Sequence, residues 1–190
     1  MAFTQVAVGH TALRDAQEAG AFLAAAVNSQ LGGAQPDLLI LFASPDFSYR
    51  DLLAALSAGC APRLMVGCSS AGEFSGCATD NSSASVMAIR ADDILFNAAL
   101  GTGLRADRAA AMRQLTPVFS GASNTAFPYR SALVLTDALA GYADELVHEL
   151  TVHTGGTYQL FGGGAADDAR FQQTHVFYGT DVHDDAVVVV

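Results

Sequence analysis

The segment Arg63-Leu64-Met65-Val66-Gly67-Cys68-Ser69-Ser70-Ala71-Gly72-Glu73 runs from a largely apolar stretch straight into a turn of small and hydroxyl-bearing residues. Its first part, Arg63–Gly67, shows no alternation of apolar and polar residues, which is typical of a strand covered on both faces. Strands of this kind belong to α/β proteins, in which helices lie against a sheet. The segment therefore predicts an α/β fold with a glycine-rich turn at the carboxyl end of an inner strand.

Further strands of the same character lie on either side, with helical stretches between them. The predicted strands are Phe3–Gly9, Asp37–Phe42, Arg63–Gly67, Ala84–Arg90, Ile94–Gly101, Ser131–Thr136, Tyr158–Gly162, Thr174–Gly179 and Ala186–Val190. The predicted helices are Asp15–Asn28, Ser48–Ser57, Arg105–Phe119 and Tyr142–His153, and Asp15 and Ser48 suit N-cap positions. We expect a mixed β-sheet, in one sheet or two packed layers, covered by helices.

The order β-α-β-α-β-β occurs twice, which predicts two pseudo-symmetric halves. Met65–Ala71 aligns with Leu160–Ala166, and Asp92-Asp93 aligns with Asp184-Asp185. This period is too long for a solenoid repeat, so two copies are expected to pack as one domain over residues 1–190. The first half covers about 1–91 and the second about 92–184, while 185–190 are expected to start a further unit of a longer protein. Chance agreement between apolar strands is the alternative.

Charge and cysteine content exclude several classes of function. The formal net charge is −10, and Lys plus Arg total nine without a basic cluster, so nucleic acid and anionic membrane surfaces are not expected partners. No apolar run approaches the roughly 20 residues of a membrane helix. Cys60, Cys68 and Cys77 form no CxxC pair, which argues against a disulfide framework or a zinc knuckle and favours a cytoplasmic protein. No metal and no cofactor are assigned.

Two glycine-rich turns are the candidate ligand site. Ligands of sheets with parallel strands gather beyond the carboxyl ends of those strands, and glycines let the backbone approach a ligand closely. Glu73 and Asp137 are expected to recognise an amino group there, although Asp137 is equally suited to cap a helix. The alternative for the turns is that small residues only permit tight chain reversal. The candidate ligand-binding residues are Gly67, Cys68, Ser69, Ser70, Ala71, Gly72, Glu73, Asp137, Gly163, Gly164 and Ala165.

Three known catalytic or nucleotide-binding signatures fail at the first turn. A P-loop needs a lysine where Glu73 stands, and a nucleophile elbow needs a glycine where Cys68 stands. A dinucleotide fingerprint would open a helix, whereas 74–83 is predicted to be a loop. No catalytic residue is assigned. An enzyme using Cys68 or Ser70 with His10 as base is one alternative, and a protein-interaction scaffold is another.

The stretch Val66-Gly67-Cys68-Ser69-Ser70-Ala71-Gly72-Glu73-Phe74 resembles the N-terminal part of FIST domains. The segments Asp37–Ala43, Ala132–Asp137 and Phe161–Ala165 are also similar to that family. The resemblance implies a sensory domain of a bacterial signal-transduction protein that binds amino acids or related metabolites. It also implies two partners besides the ligand, namely the C-terminal FIST part and a signalling output domain.

Overall fold

Two β-sheets pack face to face at the centre of the molecule, and a pair of helices covers the outer face of each. The computed structural model describes residues 3–76, 78–123 and 126–190. The strands are β1 (Thr4–Thr11), β2 (Leu38–Ala43), β3 (Leu64–Ser69), β4 (Glu73–Phe74), β5 (Thr79–Asp80), β6 (Ala84–Ala91), β7 (Ala99–Thr102), β8 (Ser131–Asp137), β9 (Gln159–Ala165), β10 (Val176–Tyr178), β11 (Asp181–His183) and β12 (Ala186–Val189).

Among the described residues, four α-helices and two short 3-10 helices connect the strands. The α-helices are α1 (Ala16–Gln30), α2 (Tyr49–Cys60), α3 (Arg108–Leu115) and α4 (Ala143–His153), and the 3-10 helices span Thr116–Ser123 and Ala138–Ala140. Helix α1 begins as predicted, because the Asp15 side chain accepts a 2.9 Å hydrogen bond from the Glu18 N–H. The prediction of a mixed α/β fold is confirmed.

The first sheet has six strands in the order β1-β6-β2-β3-β10-β11. Only the β2–β3 pair is parallel, and the other pairs are antiparallel. Its outer face packs on α1 and α2 through a core that includes Leu23, Leu39, Leu53 and Phe177. The helices approach each other closely, because a Cβ on Gly20 would lie 2.6 Å from the Leu52 carbonyl oxygen.

The second sheet has four strands in the order β7-β12-β8-β9, again with one parallel pair, β8–β9. Its strand order and pairing directions repeat those of β1-β6-β2-β3. This agreement supports the predicted duplication, which stays a prediction. Strand β12 lies between β7 and β8, whereas residues 185–190 were expected to start a further unit. Its apolar residues face both a helix layer and the first sheet, which explains why all four are buried.

The two sheets meet through a third core, the inter-sheet core. Ile40, Val66 and Val176 of the first sheet contact Leu135 and Val188 of the second within it. The hairpin β10–β11 follows β9 in sequence but pairs with β3 of the first sheet. The strand predicted over Ile94–Gly101 is wrong in its first part, because 94–98 lies outside β7. The short strands β4, β5 and β11 are not predicted by the sequence pattern.

Candidate functional site

Two inner strands of the first sheet end where a loop from the second half of the chain covers them. We call this region the strand-end junction: Ser44 after β2, Ser69 at the end of β3, Tyr49 in the first turn of α2, and the loop 166–175. Ser44 and Ser69 are buried, and the loop follows directly on β9. The junction therefore combines residues from both halves of the chain.

Hydrogen bonds from Ser69 hold the loop against β3. The Ser69 N–H donates to the His175 carbonyl oxygen at 2.9 Å, and the His175 N–H donates to Ser69 Oγ at the same distance. The Ala166 N–H donates to the Ser69 carbonyl oxygen at 2.9 Å. At the neighbouring strand end, Ser44 Oγ donates to Asp168 Oδ2 at 2.9 Å. Both strand ends are thus tied to the second half of the chain.

Two buried polar atoms at the junction lack a hydrogen-bond partner among the described residues, Tyr49 Oη and His175 Nδ1. The two rings are in edge contact, with centroids 5.4 Å apart. Burial raises the pKa of the Tyr49 hydroxyl, while an interaction with the Ser69 side chain, which falls short of the geometry of a full hydrogen bond, opposes that rise. Burial also lowers the pKa of His175, against the opposing charges of Asp184 and Asp137. The junction therefore presents a neutral phenol and a neutral imidazole with unused hydrogen-bonding capacity.

The loop itself is held in a strained conformation. Asp168, Ala169 and Phe171 have φ values of 54°, 58° and 53°, a region that residues other than glycine rarely adopt. Asp167 stabilises the loop by accepting the N–H groups of Phe171, Gln172 and Gln173 at 2.7–3.1 Å. Burial alone would raise the pKa of Asp167, but these donors outweigh it and the pKa is lowered. Backbone strain of this kind is concentrated at functional sites.

An ion pair joins the rim of the junction. Arg170 donates to Asp46, which also accepts from Ser82 Oγ, and Arg170 lies 3.9 Å from Asp168. The Ser82 and Arg170 hydrogen bonds lower the pKa of Asp46. Charges of both signs therefore surround the buried hydroxyl and imidazole.

The first predicted turn is divided between the sheet and the junction. Gly67 serves the sheet, because a Cβ there would lie 2.0 Å from the Leu41 carbonyl oxygen. Cys68 is buried in the inter-sheet core. Ser69 belongs to the junction, as described above. Of the three, only Ser69 hydrogen-bonds the loop 166–175 and so belongs to the junction.

The rest of the first turn folds onto itself. Glu73 is buried and accepts from Ser70 Oγ at 2.5 Å and from Ser83 Oγ at 2.7 Å. Gly72 has a φ of 77°, which allows the chain to reverse, and Ala71 is exposed beside it. Because the Glu73 carboxylate already accepts hydrogen bonds from Ser70 and Ser83, its role is to stabilise this turn.

The Asp137 carboxylate likewise accepts hydrogen bonds from neighbouring residues of the protein. It caps the 3-10 helix Ala138–Ala140 through the Leu139 N–H at 2.9 Å, and it accepts the Asp185 N–H at 2.7 Å. Thr174 Oγ1 also donates to it, and Arg105 lies 3.5 Å away. The structure does not bring Glu73 and Asp137 together in one network.

The second predicted turn forms the exposed edge and end of β9. Gly163 has open space on its Cβ side, whereas a Cβ on Gly164 would lie 2.8 Å from the Ala138 Cβ. Ala165 is buried opposite Asp137 and precedes the Ala166 N–H that binds Ser69. This turn reaches the junction only at its last residue.

The residues of the enzyme alternative lie in unsuitable surroundings. Burial raises the pKa of the Cys68 thiol to about 12, which disfavours the nucleophilic thiolate. His10 Nδ1 lies 2.8 Å from Ser85 Oγ and Nε2 lies 2.9 Å from Asp80, so its ring is engaged away from Ser70. Ser85 lies inside β6, between β1 and β2, where the ladders use the backbone N–H groups that an oxyanion hole would need. We read His10, Ser85 and Asp80 as a polar bridge between strands.

Sequence reasoning missed Ser44, Asp46, Tyr49, Asp168 and His175. Ser44-Pro45-Asp46 follows the apolar strand β2 directly, so the strand-end argument applied to β3 would have found the first two. Nothing in the sequence pattern indicates that His175 returns to the first sheet. That placement depends on the β3–β10 pairing.

The described part of the chain also lacks two other kinds of site. Within residues 3–76, 78–123 and 126–190, no group of three or more His, Cys, Asp and Glu side chains could hold a metal ion. No helix among the same residues has the length and hydropathy to cross a membrane. Cys77 lies outside the described residues.

Comparison with protein families identifies the family of most of the chain. The family model described as the FIST N domain matches residues 37–190, which include both strand ends, α2 and the whole loop of the junction. No curated protein matches the chain.

Proposed function

Because the chain belongs to the FIST N domain family, whose members are associated with sensory roles in signal transduction, we propose that it binds a small polar metabolite at the strand-end junction. The observation that carries this proposal is the pair of buried atoms, Tyr49 Oη and His175 Nδ1, that lack a partner in the described chain. A buried polar group without a hydrogen bond costs about 1–3 kcal/mol. A ligand that satisfies both atoms recovers that free energy on binding.

The charges around the junction favour a ligand that carries both an acidic and a basic group, such as an amino acid. The ligand's carboxylate can accept from the Tyr49 hydroxyl beside the N-terminus of α2, where the helix dipole also favours an anion. Its ammonium group is attracted by Asp168 and by Asp184, whose charge acts on His175. Lying between the two halves, the junction also suits transmission of ligand occupancy to the C-terminal FIST part and an output domain.

A thermal-shift panel of amino acids and related metabolites, followed by calorimetry, tests the proposal. Ligand at about 100 times its Kd stabilises the fold by about 2.7 kcal/mol. Tyr49→Phe removes the unpartnered hydroxyl. We therefore expect the free protein to be as stable as before or more stable, while the affinity for the hit falls about ten-fold.

Tyr178→Phe is the matched control, because the Tyr178 hydroxyl already bonds the Ala98 carbonyl oxygen at 3.3 Å. This variant should lose stability and keep the affinity of the unaltered protein. A hit whose affinity is the same in both variants would place the ligand elsewhere. Stoichiometric turnover or covalent labelling at Cys68 or Ser70 would instead favour the enzyme alternative.

A further inference from the structure

The first sheet is wider than the second, and part of its inner face is therefore uncovered. The inter-sheet core involves β2, β3 and β10 of the first sheet, while β1 lies beyond it. Val6, Val8 and Met87 lie on this inner face, because their neighbours Ala7 and Ala88 face α1 and α2. They are 52 %, 46 % and 38 % exposed, respectively, which is unusual for large apolar side chains on one sheet face.

A cavity of about 580 Å³ opens where the second sheet ends. Its floor is the inner face of β2 and β6, with Leu38, Ile40, Met87 and Ile89. The linker 93–97 and the segment 126–133 form its walls, and Phe161 closes it on the side of β9. Small-molecule sites have volumes of about 300–1,000 Å³, so this cavity is of the size that holds a small ligand.

The chemistry of the lining differs from that of the strand-end junction. Aliphatic and aromatic side chains, including those of Tyr129 and Tyr158, make up most of it. Besides the two tyrosine hydroxyls, its polar groups belong to four side chains, Asp93, Asn97, Arg130 and Ser131. Asp93 and Arg130 contribute one charge of each sign, and the chain as a whole carries −10. Neither the lining nor the net charge favours an anionic ligand, while the apolar floor favours hydrocarbon.

We propose that this cavity is a second ligand site, which takes an uncharged, hydrocarbon-rich small molecule such as a medium-chain alcohol. The hydrocarbon part lies on Met87 and Ile89, and the single polar group lies among the four polar side chains of the lining. The site is separate from the strand-end junction, since none of the junction residues lines the cavity. The protein therefore has one site for a polar metabolite and another for an apolar one.

The neutral fluorophore N-phenyl-1-naphthylamine tests the proposal, with 1-decanol and decanoate as competitors. We expect saturable binding at one site per chain, displaced by 1-decanol and less effectively by decanoate. Met87→Asp places a charge on the cavity floor and should weaken binding about ten-fold. Val8→Asp is the matched control, because Val8 pairs with Met87 across β1 and β6 at similar exposure but does not line the cavity.

Three results would overturn the proposal: non-saturable binding, an equal loss in both variants, or displacement by decanoate as strong as by 1-decanol. Both variants are first checked for a single cooperative thermal transition, and Ile94→Asp in the linker replaces Met87→Asp if the latter does not fold. Tyr49→Phe should bind the fluorophore as the unaltered protein does. A failure at this cavity is thereby distinguished from a failure at the strand-end junction.

Discussion

At the scale of single residues, His175 gives the junction a measurable pH dependence. Burial lowers its pKa below the ordinary value of 6.5, so at pH values just below 6.5 the unfolded chain binds a proton that the folded chain does not. The stabilisation is complete above pH 6.5 and is lost as the pH falls through the folded-state pKa. We therefore expect the free energy of unfolding to decrease as the pH falls from 6.5 to below the lowered pKa of His175.

Denaturant titrations at a series of pH values measure this effect. His175→Phe, which keeps a ring beside Tyr49, should flatten the dependence below pH 6.5, and His148→Gln on the exposed side of α4 should preserve it. A separate loss near and below pH 3.8 is expected from Asp46 and Asp167, whose pKa values are also lowered. An unchanged slope in His175→Phe would contradict the assignment.

The cysteines provide a second prediction at this scale. Burial raises the pKa of Cys60 to about 11 and that of Cys68 to about 12, and both are almost fully buried. In a Cys77→Ser background, both thiols should react with Ellman's reagent about 100-fold more slowly in the folded protein than in guanidinium. Rapid labelling of one thiol in the folded protein would contradict the structure and revive the enzyme alternative.

Sequence reasoning at this scale located strand ends but not hydrogen-bond partners. It proposed that Glu73 and Asp137 recognise an amino group near the strand ends, whereas the structure shows both acids buried and bonded to the protein itself. It could not show that Ser83 and Thr174 occupy them, because those partners come from elsewhere in the chain. The cap alternative for Asp137 is the one that the structure supports.

At the scale of the elements, Gly67 in β3 and Gly162 in β9 have the same role, which Gly163 does not share. A Cβ on Gly67 would lie 2.0 Å from the Leu41 carbonyl oxygen, and one on Gly162 would lie 1.9 Å from that of Val134. Each glycine occupies the same place in a parallel ladder, one in each sheet. The Cβ of Gly163 would point into open space.

Alanine substitutions test these roles by chemical denaturation. Gly67→Ala and Gly162→Ala should each lower the free energy of unfolding by about 3 kcal/mol or more, because a backbone oxygen cannot rotate away from the clash. Gly163→Ala should change it by less than about 0.5 kcal/mol. A large loss at Gly163, or a small one at Gly67, would show that the close approach in the ladder is wrong.

Element length explains which strands could be predicted. The long apolar strands and the four helices were predicted, because each is long enough to show a periodic pattern of apolar residues or a capping residue. Strands β4, β5 and β11 contain two or three residues each, too few for any pattern. Residues 94–98 are largely apolar without forming a strand, since most of them line the cavity.

At the scale of the whole molecule, the second half of the chain contributes two strands, β10 and β11, to the sheet of the first half. Phe177 comes from the second half of the chain, yet it is fully buried in the core beneath α1 and α2. Phe177→Ala should therefore destabilise the entire molecule by about 3–5 kcal/mol, and thermal unfolding should stay a single transition. Two separate transitions in calorimetry would instead indicate halves that fold independently.

The crossing of β10–β11 into the first sheet was beyond sequence reasoning. The strand Thr174–Gly179 was predicted from its apolar residues, but no prediction was made of its partner, which is β3 of the first sheet. A short strand can pair with any sheet edge that has free backbone groups and lies beside an apolar core. No local sequence pattern shows which edge that is.

The same crossing sets the order in which the chain can fold. The sheet that begins at Thr4 is completed only by residues 176–183, and the last described strand, β12, inserts between two others in the second sheet. On the ribosome, neither sheet can close until nearly all of these residues have emerged. Such long-range pairing makes folding slow, and it leaves the apolar edges of β3 and β8 open to chaperones and to aggregation during synthesis.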